Sequence, residues 1–303
     1  MSEQMRVDEF LTSLLSICHP LDPFEMPLLD AHGATLAKDI YAGERLVLKA
    51  DSRIRSTQIG LAASIGLDHL PTRPHPRVVI LSAGPDLVEP GQPISGQEEF
   101  ETNSWLLTTA VREVGAVGYR VHSIPDDEAE LKDVIEDQLV RADLIIISGE
   151  RHDDSFALIT RTLETMGEIT VVDLAIQGSG RHNYGVIGPD KTPVVTLPGD
   201  PISAYVSFEL FVRPMIRTML GTLNIHRPSV KANLEKALSS EEGHRAYVRA
   251  VLSEDGKSVL PLDDQDEITT LSDANSLIAL SEKDTELDAG ATVSVVVLER
   301  RYI

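Results

Sequence analysis

The chain has a single cysteine, Cys18, among 303 residues. That excludes an intrachain disulfide and any metal site built from cysteines. Aromatic residues make up only 4% of the chain, so aliphatic side chains must build its cores. No apolar stretch reaches the roughly 18 residues a membrane-spanning helix needs, and no membrane span is expected. Met1 to Phe10 is polar and partly acidic. It lacks the basic start and apolar centre of a secretory signal, so a cytoplasmic protein is the simplest expectation. Cations are scarce: 27 Lys and Arg stand against 48 Asp and Glu, for a formal net charge of −21. This balance argues against nucleic acid, or an anionic membrane surface, held by a general basic field. It also requires that any polyanionic ligand meet cations placed for it locally. Solubility in a salty or crowded medium accounts for the charge without a partner.

Internal repeats and low-complexity tracts are also absent. What is present divides into three parts: residues 1–72, 73–222 and 223–303. The first is an arm. Val7 to Cys18 is amphipathic and reads as a helix, which Pro20, Pro23 and Pro27 end. Leu28 to Ile40 mixes alternating and helical signals, with a break at Gly33. Arg55 to Gly66 reads as a short helix, and Pro71, Pro74 and Pro76 as a stiff linker. The second part alternates apolar strands with helices: strands at Arg77–Leu81, Val117–Ile124, Leu144–Ile147 and Ile169–Ala175, helices at Asn103–Val114, Asp127–Val140 and Phe156–Met166. This pattern predicts a doubly wound α/β domain with a mainly parallel sheet, whose ligands bind beyond the carboxyl ends of the strands. After Pro228 the helical signals stop. Short strands at Val230–Leu238, Arg245–Leu252, Ser276–Leu280 and Thr292–Leu298 predict a small all-β domain.

The most informative segment is Thr196 to Pro214. The apolar run Pro193–Leu197 reads as a buried strand that breaks at Pro198-Gly199. Asp200 then stands at a helix N-cap, with Pro201 at the first helical position. A helix start of this kind suits an anion. Three more strand-end loops accompany it. The first, Ser82-Ala83-Gly84-Pro85-Asp86, frees backbone N–H groups and carries a carboxylate; turn geometry alone also explains Gly and Asp there. The second, Pro125-Asp126-Asp127, reads as a helix cap. The third, Ser148-Gly149-Glu150-Arg151-His152-Asp153-Asp154, holds a His-Asp-Asp cluster without an established metal-ligand spacing, and no metal site is assigned to it. Gly178-Ser179-Gly180-Arg181 has the wrong spacing for a dinucleotide-binding loop and leads into a strand.

The segment Leu197-Pro198-Gly199-Asp200-Pro201-Ile202-Ser203-Ala204 resembles the LPGNPVSA signature of the molybdopterin molybdenumtransferases, the MoeA and gephyrin E-domain family. Ser82 to Leu87 is similar to the family's STGDEL, and Glu101-Thr102-Asn103-Ser104 to its D-S-N element. Met26 to Ile40, Arg55 to Leu67, Arg245 to Arg249 and Ser276 to Leu280 extend the resemblance over most of the chain. It implies a sheet of molybdopterin-binding type, and molybdate insertion into free or adenylated molybdopterin with a divalent cation such as Mg. It implies Asp86, Asp126, Asp127 and Asp154 as the catalytic carboxylates. It implies Ser82, Gly84, Asn103, Ser148, Gly149, Arg181, Pro198, Gly199, Asp200 and Ser203 as contacts to the cofactor. A homodimer built through the arm and the α/β domain follows from it too.

Several positions depart from the family pattern. The family Asn is Asp200. The two lysines of its KPGKP element fall on Gln177 and Gly180, leaving Arg181 as the nearby cation. The Gly-Gly-x-Ser loop keeps only Ser148-Gly149. A lobe of roughly 100 residues, more than any ordinary loop, is missing between Glu44 and Arg53. These changes imply that catalysis is weakened or lost in this copy. The alternative is a non-catalytic, gephyrin-like dimeric scaffold or regulator that holds a protein partner.

Overall fold

A computed structural model describes residues 4–84, 86–96, 98–122, 125, 127–149, 153–178, 180–262 and 268–299, with only the backbone of 153 and 154. The first helix, α1 (Val7–Ser16), buries Val7, Phe10 and Leu14. That spacing puts one apolar stripe on one face. The stripe packs on the main domain, where the Phe10 ring meets Phe211 edge-on with centroids 4.8 Å apart.

The arm continues through β1 (Phe24–Pro27), β2 (Thr35–Leu36), the hairpin β3 (Ile40–Ala42) and β4 (Arg45–Leu48), α2 (Ser56–Ser64) and β5 (His69–Arg73). Here the structure corrects the expected linker. β5 is the central strand of a three-stranded antiparallel sheet, between β1 and β2. Pro71 is tolerated because β2 ends at Leu36, opposite Thr72, and the Pro71 carbonyl still accepts from Ala37 N at 2.8 Å. The arm also has its own small core, made of Met26, Ala31, Leu36, Leu48, Ile54, Ala62 and Leu70.

The α/β part runs β6 (Arg77–Ser82), β7 (Leu87–Val88), β8 (Glu99–Phe100), α3 (Asn103–Val114), β9 (Val117–Arg120), α4 (Glu128–Leu139), β10 (Leu144–Ser148), α5 (Asp153–Glu164), β11 (Gly167–Asp173), β12 (Arg181–Ile187), β13 (Thr192–Leu197), α6 (Pro201–Ser207) and α7 (Arg213–Met219). The sheet order is β11-β12-β13-β10-β6-β9. Pairing is parallel from β13 to β9 and antiparallel across β11-β12-β13. The continuous apolar runs of β6 and β10 follow from burial on both faces. Val78, Ile80, Leu144 and Ile146 face α1, α3 and the α6–α7 helix, while Val79, Leu81, Ile145 and Ile147 face α4 and α5. β9 stops at Arg120, shorter than its apolar run suggested. The helix after Asp200 is not uniformly α: Phe208–Val212 is a π-helical turn between α6 and α7.

The last part is a closed barrel of β14 (Ser229–Leu234), β16 (Ala246–Leu252), β17 (Ser258–Pro261), β18 (Ser276–Leu280) and β20 (Thr292–Val297). A minor ladder joins β15 (Leu238–Ser239) to β19 (Glu286–Leu287). Among the described residues, β17, β19 and the short helix α8 (Ile268–Asp273) lie outside the sequence reading. The barrel is fixed to the α/β domain by main-chain bonds, Arg245 N to Ala175 O at 3.0 Å and Gln177 N to Arg245 O at 2.9 Å. The Arg245 guanidinium also grips both oxygens of Asp8 on α1, at 2.8 and 3.0 Å.

Candidate functional site

β6, β10 and β13 end level with one another, Ser82 opposite Ser148 and Ser148 opposite Leu197. The loops that leave them therefore emerge side by side at the carboxyl edge of the sheet. Gly84 N donates to Pro125 O at 3.1 Å, which brings the second loop beside the first.

At the Pro198–Asp200 turn, the Asp200 carboxylate accepts from Ser203 N at 2.9 Å and Pro201 occupies the first turn of α6. The N-cap is thus filled by the chain's own carboxylate. Asparagine would satisfy the same donor without the charge. The Ser203 hydroxyl donates to Gly178 O at 2.8 Å, and Gly178 holds φ at +74°, a left-handed turn that suits glycine. Asn103 Nδ2 donates to Gly199 O at 2.7 Å and latches the turn to the start of α3.

Below the turns lies a buried polar network centred on Glu101, which is only 1% exposed. Its Oε1 accepts from Ser82 Oγ and from Ser104 N, both at 2.7 Å. Its Oε2 accepts from the Ser104 hydroxyl, with the Arg120 guanidinium 3.5 Å away. Ser82 and Ser148 hydroxyls lie 3.1 Å apart. Arg120 also pairs with Glu89, donates to Ser104 Oγ at 2.7 Å and lies 4.2 Å from the Trp105 ring centroid. A buried carboxylate needs this many donors to offset its desolvation. Ser82 and Ser148, read from the sequence as contacts to a ligand, are committed to this network and buried beneath the cleft floor.

Two cavities flank the Gly199–Asp200 turn. The smaller, about 50 Å³, is lined by Leu87, residues 99–103, Gly149, Gly199 and Pro201. The larger, about 420 Å³, lies between the α/β domain and the barrel. Gln177, Asp200 and Ser203 line it on one side, Lys236, Tyr247 and Arg249 on the other. Its walls mix polar and apolar groups, Ile176, Ile202 and Val206 among them. Lys236 and Arg249 went unmarked in the sequence. The available signal was an arginine inside the otherwise apolar run Val248–Leu252, a position that needs a reason to be buried. Gln177, at a family lysine, turns to the barrel instead: its Oε1 accepts from Ser240 Oγ at 3.3 Å.

The remaining sequence candidates fall as follows. Asp86 is half-buried in the first loop, and its carbonyl accepts from Glu99 N at 2.9 Å. Asp127 is the N-cap of α4, accepting from Glu130 N at 2.9 Å. Asp126, and the side chain of Asp154, lie outside the described residues, as do Glu150 to His152. Gly149 sits beneath Ser155, whose hydroxyl would collide with any Cβ there. Arg181 begins β12 and stacks over Phe156, 5.0 Å from the ring centroid. Among the described residues no group of three or more His, Cys, Asp or Glu could hold a metal ion. Among the described residues no helix is long and apolar enough to cross a membrane.

Residues 79–218 match the family described as a probable molybdopterin binding domain, and residues 231–298 match the MoeA C-terminal region, its domain IV. The molybdopterin molybdenumtransferase 2 of Mycobacterium tuberculosis is 33% identical over 266 residues, covering 85% of this chain and 65% of that protein. The molybdopterin molybdenumtransferase of Haemophilus influenzae is 23% identical over 97% of this chain and 72% of its own length. The chain thus spans about two thirds of the length of its Mycobacterium relatives, 65% and 63% for the two proteins of that name. A molybdopterin biosynthesis MoeA protein from Pyrococcus horikosii shares the fold at a TM-score of 0.84, over 98% of this chain and 100% of that one, with 20% identity. Matches to both the α/β and the C-terminal regions, in the chain order seen in the structure, place this chain in the MoeA family.

Proposed function

We propose that the chain binds molybdopterin, free or adenylated, at the carboxyl edge of its α/β sheet, and that the molybdate-insertion step of its family is weakened or lost in it. The observation that carries this reading is the divided electrostatics around one turn. A pterin phosphate and molybdate are both anions. Two unit charges about 4 Å apart repel by about 4 kcal/mol at an effective dielectric near 20. The site must offset that repulsion with cations. The strand-end loops instead place Asp200 at the helix start and Gln177 where the family has a lysine. Among the described residues that line the two cavities, the cations are Lys236 and Arg249, which come from the barrel and reach the larger cavity. One anion is served there; a second is not.

In this reading the phosphate lies in the larger cavity, against Arg249, Lys236 and Ser203. Arg181, Gly84, Gly149, Pro198 and Gly199 shape the cleft, with Asp86, Asp126, Asp127 and Asp154 as the carboxylates that would handle molybdate and protons. Asp127 carries a second duty as a helix cap. The step the family lobe would serve lacks its support. Where the lobe would enter, the chain makes only the β3–β4 hairpin, Ala42 paired with Arg45.

A homodimer belongs to the same reading. Tyr41 and Leu46 face each other across that hairpin and are 55% and 44% exposed, an apolar pair suited to a second copy. The same pair supports the scaffold alternative, in which the arm holds another protein. A cytoplasmic location accords with both.

The test is a titration of the purified chain with molybdopterin and with adenylated molybdopterin, beside light scattering at micromolar concentration. Saturable binding by a dimer is expected. Dimerisation with no pterin binding would favour the scaffold.

A further inference from the structure

We infer that the small cavity takes the hydrogen-bond-donating edge of a planar, amino-bearing heterocycle rather than a phosphate, with the Asn103 amide oxygen as its acceptor and the Phe100 ring at its mouth. This rests on the molybdopterin reading and says which end of such a ligand enters here.

Asn103 is 4% exposed. Its amide orientation is decided by its neighbours. Nδ2 lies 2.7 Å from Gly199 O and 3.4 Å from Pro198 O, and both carbonyls can only accept. The nitrogen must therefore face them. Oδ1 is left buried with no hydrogen-bond partner. Such an acceptor carries a desolvation penalty that a donor would relieve. The other polar side chains of the described wall do not supply one. Glu99 and Glu101 bring carboxylates, and the Thr102 hydroxyl already donates to Phe100 O at 3.1 Å. The Gly199 carbonyl is an acceptor too. Among the described residues no Lys or Arg side chain lines this cavity. A phosphate would meet the Glu99 and Glu101 carboxylates and the Asn103 amide oxygen with no described side-chain cation to offset them; an N–H edge would find acceptors.

The size agrees. One water needs about 10–15 Å³ of such space, so about 50 Å³ admits an amino group with its adjoining ring nitrogen and leaves the rest of a bicyclic ring outside. The ring outside would lie beside Phe100, which lines the cavity and is half exposed. Aromatic faces of this kind stack planar rings. Two chemical sources share the required edge, an amino group flanked by ring N–H: the 2-amino-4-oxo pteridine of a pterin, and guanine. The larger cavity, with Arg249 and Lys236, lies on the other side of the same turn and suits the phosphate end.

Trp105, the chain's only tryptophan, stands two residues from Asn103 and is half exposed. Its fluorescence provides the readout. The full chain is titrated with neopterin monophosphate, with the lumazine counterpart that carries oxo in place of the 2-amino group, with guanosine monophosphate and with inorganic phosphate. Neopterin monophosphate is expected to bind at least about tenfold more tightly than its lumazine counterpart, the discrimination expected when a buried hydrogen bond goes unmade. In Asn103→Leu the gap is expected to close to within about twofold. Should that variant fail to fold, the two ligands on the unaltered chain still decide, and Phe100→Leu should weaken both pteridines alike. Guanosine monophosphate binding as tightly as the pterin supports the same edge and assigns its source to a nucleotide. Equal affinity for pterin and lumazine overturns the inference and leaves the molybdopterin reading standing. Binding of neither pteridine overturns both.

Discussion

The two sides of the Gly199–Asp200 turn differ in charge, size and origin. On one side a small cavity is closed by acceptors drawn wholly from the α/β domain, Glu101, Asn103 and Gly199 among them. On the other, a cavity about eight times larger (420 against 50 Å³) brings in a lysine and an arginine from the barrel. Among the described residues, the cations that line either cavity come from the barrel, which is clamped in place through Arg245 and the Ala175–Gln177 segment. In the proposed reading, anion binding therefore depends on that docking. In a chain with a net charge of −21, cations placed in this way would decide where a polyanion rests.

The largest expected effect tests the acceptor side. Glu101→Ala leaves Arg120 without its innermost carboxylate and Ser82 and Ser104 without their shared acceptor. Breaking a buried pair of this kind costs about 3–5 kcal/mol. Urea unfolding should show the midpoint falling with little change in slope, and a loss under about 1 kcal/mol would mean that Glu89 alone satisfies Arg120. Glu101→Gln should lose less, because it keeps an acceptor.

Next comes pH. His182, on β12, is fully buried beside Phe10 and Phe211, and burial pushes its imidazole down to about 4, partly opposed by its bond to Thr196 O. Its ordinary value is 6.5. The unfolded chain therefore binds a proton that the folded chain refuses. This contribution is complete above about pH 6.5 and is lost as pH falls toward 4, amounting to about 3.4 kcal/mol at most. The stability difference between pH 7 and pH 5 should shrink in His182→Phe. An unchanged difference would locate the acid sensitivity elsewhere.

Anion binding tests the barrel side. Arg249→Met should weaken a phosphorylated pterin by about 10- to 100-fold, the loss of one charge-assisted contact of about 1.5–3 kcal/mol. Arg181→Ala, aimed at the cation favoured by the sequence, should change affinity less than threefold by isothermal titration. The reverse order would return the phosphate to the strand-end loops.

The smallest change falls on the turn itself. Asp200→Asn keeps the cap and should alter stability by less than about 0.5 kcal/mol, while raising pterin affinity severalfold. Asp200→Ala should cost about 1 kcal/mol through the lost cap. Equal affinities in all three would show that the Asp200 charge is not felt in either cavity.

Much of the fold was legible because its signals are local. The all-apolar β6 and β10 reported burial on both sheet faces, and Asp200-Pro201 reported the helix start. β5 was hidden because Pro71 reads as a breaker, and only the early end of β2 makes it acceptable. The π turn at Phe208–Val212 was hidden because nothing in its composition departs from an α-helix. In the site, the loops were readable but the direction of side chains was not. Ser82 and Ser148 stand at the strand ends the sequence singled out, yet their hydroxyls turn inward, Ser82 to Glu101 and Ser148 to Ser82. Arg249 and Lys236 lie some fifty residues or more along the chain from Gln177, and only the docking of the barrel brings them to it.

The central claim is that binding survives where insertion does not. It is tested most directly by supplying the purified chain with adenylated molybdopterin and molybdate, then assaying reconstitution of an apo-molybdoenzyme, with the bound pterin measured in the same samples. The account predicts pterin bound at stoichiometric levels and no reconstitution above the protein-free control. Reconstitution at the rate given by a full-length molybdopterin molybdenumtransferase would contradict it.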